Sequence, residues 1–114
     1  MPQTSSAVRF AQGEVPTTAT AVYTVVTGGS SILASISFTS NRTSNTDTLV
    51  ELWIAPSGQA QTTSNRFLAV TLKDGMSYRE AQLGIVLASG DRLFIRSNQT
   101  LVSYFISGAE LVTV

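Results

Sequence analysis

Residues 87–96 read LASGDRLFIR. A glycine and an aspartate interrupt two apolar runs, and the second run, Arg92 to Ser97, alternates in character. Leu93 and Ile95 point one way, Arg92, Phe94 and Arg96 the other. Period-two alternation on both sides of a turn former is the pattern of antiparallel strands, each with one buried face. Gly90 supplies a positive φ at no steric cost, and the Asp91 carboxylate can accept backbone amides across such a turn. A chemical role for Asp91 would need partners. A glycosidase needs a second carboxylate roughly 5–10 Å away, and calcium needs several oxygens converging in one loop. The seven acids (Glu14, Asp47, Glu51, Asp74, Glu80, Asp91, Glu110) are scattered singly. Asp91 is therefore expected to turn a corner.

The same reading extends outward. Ile32–Thr39 (ILASISFT) places Ile32, Ala34, Ile36 and Phe38 on one expected face. Leu49–Ala55 (LVELWIA) sends Val50, Leu52 and Ile54 inward and Glu51 outward beside Trp53. Leu68, Val70 and Leu72 share a face, as do Leu83, Ile85 and Leu87 within a strand over 77–87, and Val102, Tyr104 and Ile106 further on. Ala21–Thr27 is β-branched and aromatic and ends at Gly28-Gly-Ser-Ser31, expected as a hairpin turn. Glu110–Val114 closes the chain. About eight short strands with regular turn signals predict an all-β fold, a single antiparallel β-sandwich of jelly-roll type. Residues 1–19 are polar, with Val8 and Phe10 as their apolar cluster. They read as an extended N-terminal arm or a peripheral strand, leaving 20–114 as the sandwich.

Composition excludes much. The 114 residues contain no histidine and no cysteine. The commonest general base, the commonest zinc ligand, thiolate metal sites and the Ser-His and Cys-His nucleophile pairs all fall away. No G-x-S-x-G elbow or phosphate loop is present. The reading is of a protein that is not an enzyme, with no catalytic, cofactor-binding or metal-binding residues and no small-molecule substrate. Seven basic residues balance seven acidic ones, which argues against a nucleic-acid partner. No apolar run is long enough for a membrane helix, and MPQTSSAVRF lacks the basic and apolar regions of a signal peptide. The sequons at Asn41 and Asn98 read as turn chemistry.

Charged residues make up only 12% of the chain, about half the usual share, while Ser and Thr supply roughly a quarter. Such a surface is expected to be covered by neighbours in the working state. Arg92, Phe94 and Arg96 could stack on a base, but at zero net charge they read as a packed or subunit-facing surface. Trp53 could form a sugar platform, but reads as an exposed interface anchor. The candidate interface is thus Val8, Phe10, Trp53, Arg92, Phe94 and Arg96.

Ala21–Gly58, from AVYTVVTGG through to PSG, resembles the opening of a group of small tailed-phage virion proteins. These have a Tyr-Thr-Val strand and glycine turn, an alternating strand ending near an Asn, and a strand closing on Pro-Ser-Gly. Leu83–Val114 is similar to the group's ending: an apolar strand, L-x-x-G-D, an alternating strand, and an aromatic strand closing on S-G-x-E. The likeness spans residues 20–112. Val26-Thr27 departs from it, since the group tends to place Pro before the turn glycine. The resemblance implies a β-sandwich virion component of a bacteriophage, and among virion roles a capsid cement or decoration protein that binds the assembled shell best fits a small, neutral single domain with an N-terminal arm. Its partners would be the major capsid protein and copies of itself, as a homotrimer assembled in the host cytoplasm. A tail-, neck- or fibre-associated module and a carbohydrate-binding sandwich are the alternatives.

Overall fold

The computed structural model describes the backbone of residues 3–113 and the side chains of 6–111; Val114, in the expected closing strand, lies outside these. The strands are β1 (Gln3–Glu14), β2 (Thr20–Thr24), β3 (Ser30–Ser40), β4 (Thr48–Ala55), β5 (Arg66–Leu72), β6 (Ser77–Glu80), β7 (Ile85–Leu87), β8 (Arg92–Ser97) and β9 (Val102–Thr113). A single 3-10 turn, Thr63–Asn65, is the helical element among the described residues.

Two antiparallel sheets face each other. The first has the order β1-β9-β3-β6, with β7 also on β3, and the second has the order β2-β8-β4-β5. Because β6 and β7 line the same edge of β3, they are one strand interrupted at 81–84. Counted so, the fold is two four-membered rows with the chain passing back and forth between them: a jelly roll. Leu33, Ile36, Phe38, Val50, Leu52, Leu72, Leu87, Leu93, Ile95, Val102 and Ile106 fill the space between the sheets.

Four differences from the sequence reading have physical causes. First, Gln3–Glu14 is the peripheral strand, one of the two readings of residues 1–19, and not an arm outside the sandwich. Along its length β1 pairs with β9, from Gln3 opposite Thr113 to Glu14 opposite Ser103, so the expected boundary at residue 19 falls inside the fold. A sheet-edge strand can remain polar, which is why this one has the composition of an arm.

Second, Val25–Gly29 does not close a hairpin. The Gly29 amide donates to the Val26 carbonyl (3.1 Å), but β2 lies in the second sheet and β3 in the first, so the turn crosses between layers. Turn chemistry fixes a reversal of the chain, not the sheet that receives the next strand.

Third, the alternation of β3 breaks. Leu33 pairs with Gly108 and Ser35 with Ser107, leaving Ala34 as an extra, bulged residue. The bulge shifts the phase: Leu33 is buried ahead of it, Ile36 and Phe38 after it, while Ile32 and Ala34 are only half-buried. Fourth, the strand expected over 77–87 breaks opposite the same point. Gln82 (φ 61°) and Gly84 (φ 65°) turn left-handed, and the Leu83 amide donates to the Ala34 carbonyl (2.9 Å).

Candidate functional site

Strand register gathers four of the six candidate residues on the outer face of the second sheet. Glu51 sits opposite Arg96, Trp53 opposite both Phe94 and Arg66, and Ala55 opposite Arg92. Alternation alone puts Glu51, Trp53 and Ala55 on this side of β4 and Arg92, Phe94 and Arg96 on this side of β8.

Glu51 is 7% exposed, and a carboxylate so placed needs charge partners. It has two: Arg66 Nη1 donates to Oε2 and Arg96 Nη1 to Oε1, each at 2.7 Å. The arginines remain open to solvent, with side chains 43% and 39% exposed. The Arg92 guanidinium lies over the Phe94 ring, 5.0 Å from its centroid, and donates to the Gln59 carbonyl. Each guanidinium is thus held by a carboxylate or an aromatic face.

Trp53 and Phe94 correct an expectation. They are 7% and 8% exposed, packed with Ala55 and Ala19 into a small second apolar cluster. Alternation says which side of a strand a ring occupies, not what covers it, and here neighbouring side chains and Ala19 do. The surface therefore presents guanidinium edges rather than rings, and Trp53 forms no open platform for a sugar.

Val8 and Phe10 lie apart, on β1. Phe10 is the extra residue of a bulge between Arg9, opposite Ser107, and Ala11, opposite Ile106. Its ring stacks on Tyr23 at 4.1 Å between centroids, with the planes 10° apart. Gly108 makes room for it: a Cβ there would collide with the Phe10 ring and the Ile32 carbonyl. The Tyr23 hydroxyl donates to Glu110 Oε2 (2.7 Å) and lies 2.7 Å from Ser31 Oγ. Burial, above all, pushes the Tyr23 phenol up to about 12; Ser31 counters this, while the bond to Glu110 and its charge add to it. Phe10 is thus part of the sandwich closure rather than a free anchor, and Val8, opposite Gly108, is half-buried beside it.

Asp91 has the geometry of a turn residue. Its Oδ2 accepts the Ala88 amide at 2.8 Å, its own amide donates to the Ala88 carbonyl at 3.0 Å, and its carbonyl accepts the Val25 amide at 2.9 Å. Gly90 has φ 80°.

The outer face of the first sheet was not singled out by the sequence. It carries Ser35, Ser37, Thr39, Ser103 and Ser107 around the exposed Phe105, with Arg9 over that ring at 5.4 Å. Two shallow adjoining hollows of about 320 and 280 Å³ share Ser37 and Phe105. Among the described residues, no group of three or more acidic side chains converges to hold a metal.

Neither face pairs a nucleophile with a base. The arginine-rich face is polar, its guanidiniums held by Glu51, the Phe94 ring and the Gln59 carbonyl over the small apolar cluster of Trp53, Phe94 and Ala55. No family model matches the sequence, and no curated protein matches it. Among the solved structures that match this chain are two of viral particles. One is a chain of the T13 viral particle of IBDV, at TM-score 0.51 and 10% identity, covering 96% of this chain and 30% of that one. The other is a chain in the structure of infectious bursal disease virus strain Gx, at TM-score 0.46 and 11% identity, covering 96% and 32%. This chain spans about a third of the length of those it matches, and with the first of them it shares a β-sandwich fold.

Proposed function

We propose that this protein is a structural subunit of a virus particle and, within that class, a cement or decoration protein on the shell of a tailed phage. One observation carries the reading. The chain is a jelly roll whose outer faces hold ordered contact groups, built from a sequence without histidine, cysteine or paired acids. Such a domain is equipped to be packed against, not to turn over a substrate. The fold it shares with a chain of a viral particle and the sequence resemblance to small tailed-phage virion proteins support the same class.

In this reading the partners are the major capsid protein and further copies of the chain, arranged as a trimer on a particle assembled in the host cytoplasm. Docking of the folded body buries on the order of 1,000 Å² or more. The test compares shells with and without the protein. Shells lacking it are expected to rupture at lower temperature and under milder osmotic shock, and adding the purified protein should restore them. Equal robustness, with the protein found on the tail by labelling, would replace this reading with the tail-, neck- or fibre-associated one.

A further inference from the structure

We infer that the outer face of the second sheet is the docking surface, and that its partner is a protein surface presenting carboxylates. The inference deepens the shell-binding reading and rests on it for the partner's location.

The argument begins with charge. The chain is neutral overall, yet three of its six arginines, Arg66, Arg92 and Arg96, share this face. Glu51 is the one acid there, and its two oxygens are taken by Arg66 and Arg96. The face therefore carries a surplus of two positive charges, on a molecule whose other charges compensate elsewhere. A complementary surface is acidic.

The second part is order. A free arginine loses side-chain entropy when it is immobilised at an interface. Here Arg66 and Arg96 are held on Glu51, and Arg92 is held between the Phe94 ring and the Gln59 carbonyl. Each guanidinium has further N–H donors beyond the one bonded to its internal partner, and a guanidinium fork matches a carboxylate in two bonds. Arginine over a buried aromatic floor is the composition of an interface hot spot. The first sheet's outer face differs: it offers mainly hydroxyls, with Arg9 laid over Phe105, Arg79 opposite Ser37 and Glu14 opposite Ser103, and among the described residues no pair of arginines there shares a carboxylate.

The experiment uses two probes. Poly-L-glutamate titrated into isotope-labelled protein should shift the amide resonances of Glu51, Trp53, Phe94 and Arg96 and leave Ser35, Ser37 and Ser103 in place. Arg92→Gln, which spares the Glu51 pairs, should weaken both this binding and attachment to protein-free shells about tenfold. Arg92→Lys should recover only part of the loss, and Arg79→Gln should alter neither. Added salt should weaken attachment of the wild type. Absent or evenly spread shifts would overturn the inference, as would shell attachment indifferent to Arg92→Gln. Localised shifts in a protein that does not attach to shells would support the face while removing the shell as its partner.

Discussion

Glu51 shows how a single residue constrains its neighbourhood. Glu51→Gln would leave Arg66 and Arg96 without a counter-charge beside a nearly buried amide, at a cost of about 2 kcal/mol. A lower urea midpoint with an unchanged slope would register it. Asp91→Ala should cost about 1 kcal/mol through the lost bond to the Ala88 amide, without affecting attachment beyond that. Gly108→Ala should be harsher, at about 3 kcal/mol or more, because the added Cβ has backbone on one side and the Phe10 ring on the other. A Gly28→Ala control meets open space, and only its left-handed φ of 84° resists. It should cost about 1–2 kcal/mol, a difference thermal denaturation would resolve.

At the scale of elements, the strands of the sequence reading were largely legible, because period-two alternation is local and each strand has one buried side. What alternation could not convey was register. The bulge at Phe10 falls between Ser107 and Ile106 of β9 and the bulge at Ala34 between Gly108 and Ser107, so the phase of β1 and β3 depends on a strand some seventy residues or more away. The Glu51 pairs were hidden for the same reason: Glu51 and Arg96 were assigned an outward side but no cross-strand neighbour, and Arg66, given no side, comes opposite Trp53 only through the register shift in the β4–β5 pairing. For residues 1–19 the sequence leaves an arm and a peripheral strand both open, because their apolar cluster is only Val8 and Phe10. Deleting residues 1–14 is now expected to unfold the protein or lower its melting temperature sharply, by stripping the pairing edge of β9, where an arm would have come away cleanly. Circular dichroism of the truncated chain decides between the two. Closure between the sheets also has a pH signature. Tyr23 holds its proton more tightly folded, at about 12, than at the ordinary 10.0. Its contribution is therefore complete below pH 10 and is lost as pH rises through 12. Tyr78 and Tyr104 are raised as well, chiefly by burial. Tyr23→Phe should flatten part of the alkaline fall in stability, read by denaturation at pH 9 and pH 12.

For the molecule as a whole, strand count and turn spacing carried the fold class, while the assignment of strands to layers came from the structure. The charge surplus on one face of a neutral chain was likewise invisible in composition, since it arises when β4, β5 and β8 are laid side by side. If the protein works as a trimer, light scattering at micromolar concentration should give three times the 12.1 kDa of the chain, and a clean monomer would leave oligomerisation to the shell itself.

The central place of β9 has a consequence in time. It is made after the eight other strands of this sandwich, yet it lies between β1 and β3. Residues 102–113 must leave the ribosome before the first sheet can close, so β1 waits without its partner until β9 emerges. Such long-range closure makes folding slow and leaves open edges exposed meanwhile. A nascent chain stalled before residue 102 should therefore be protease-sensitive along β1, and one released past residue 113 should not.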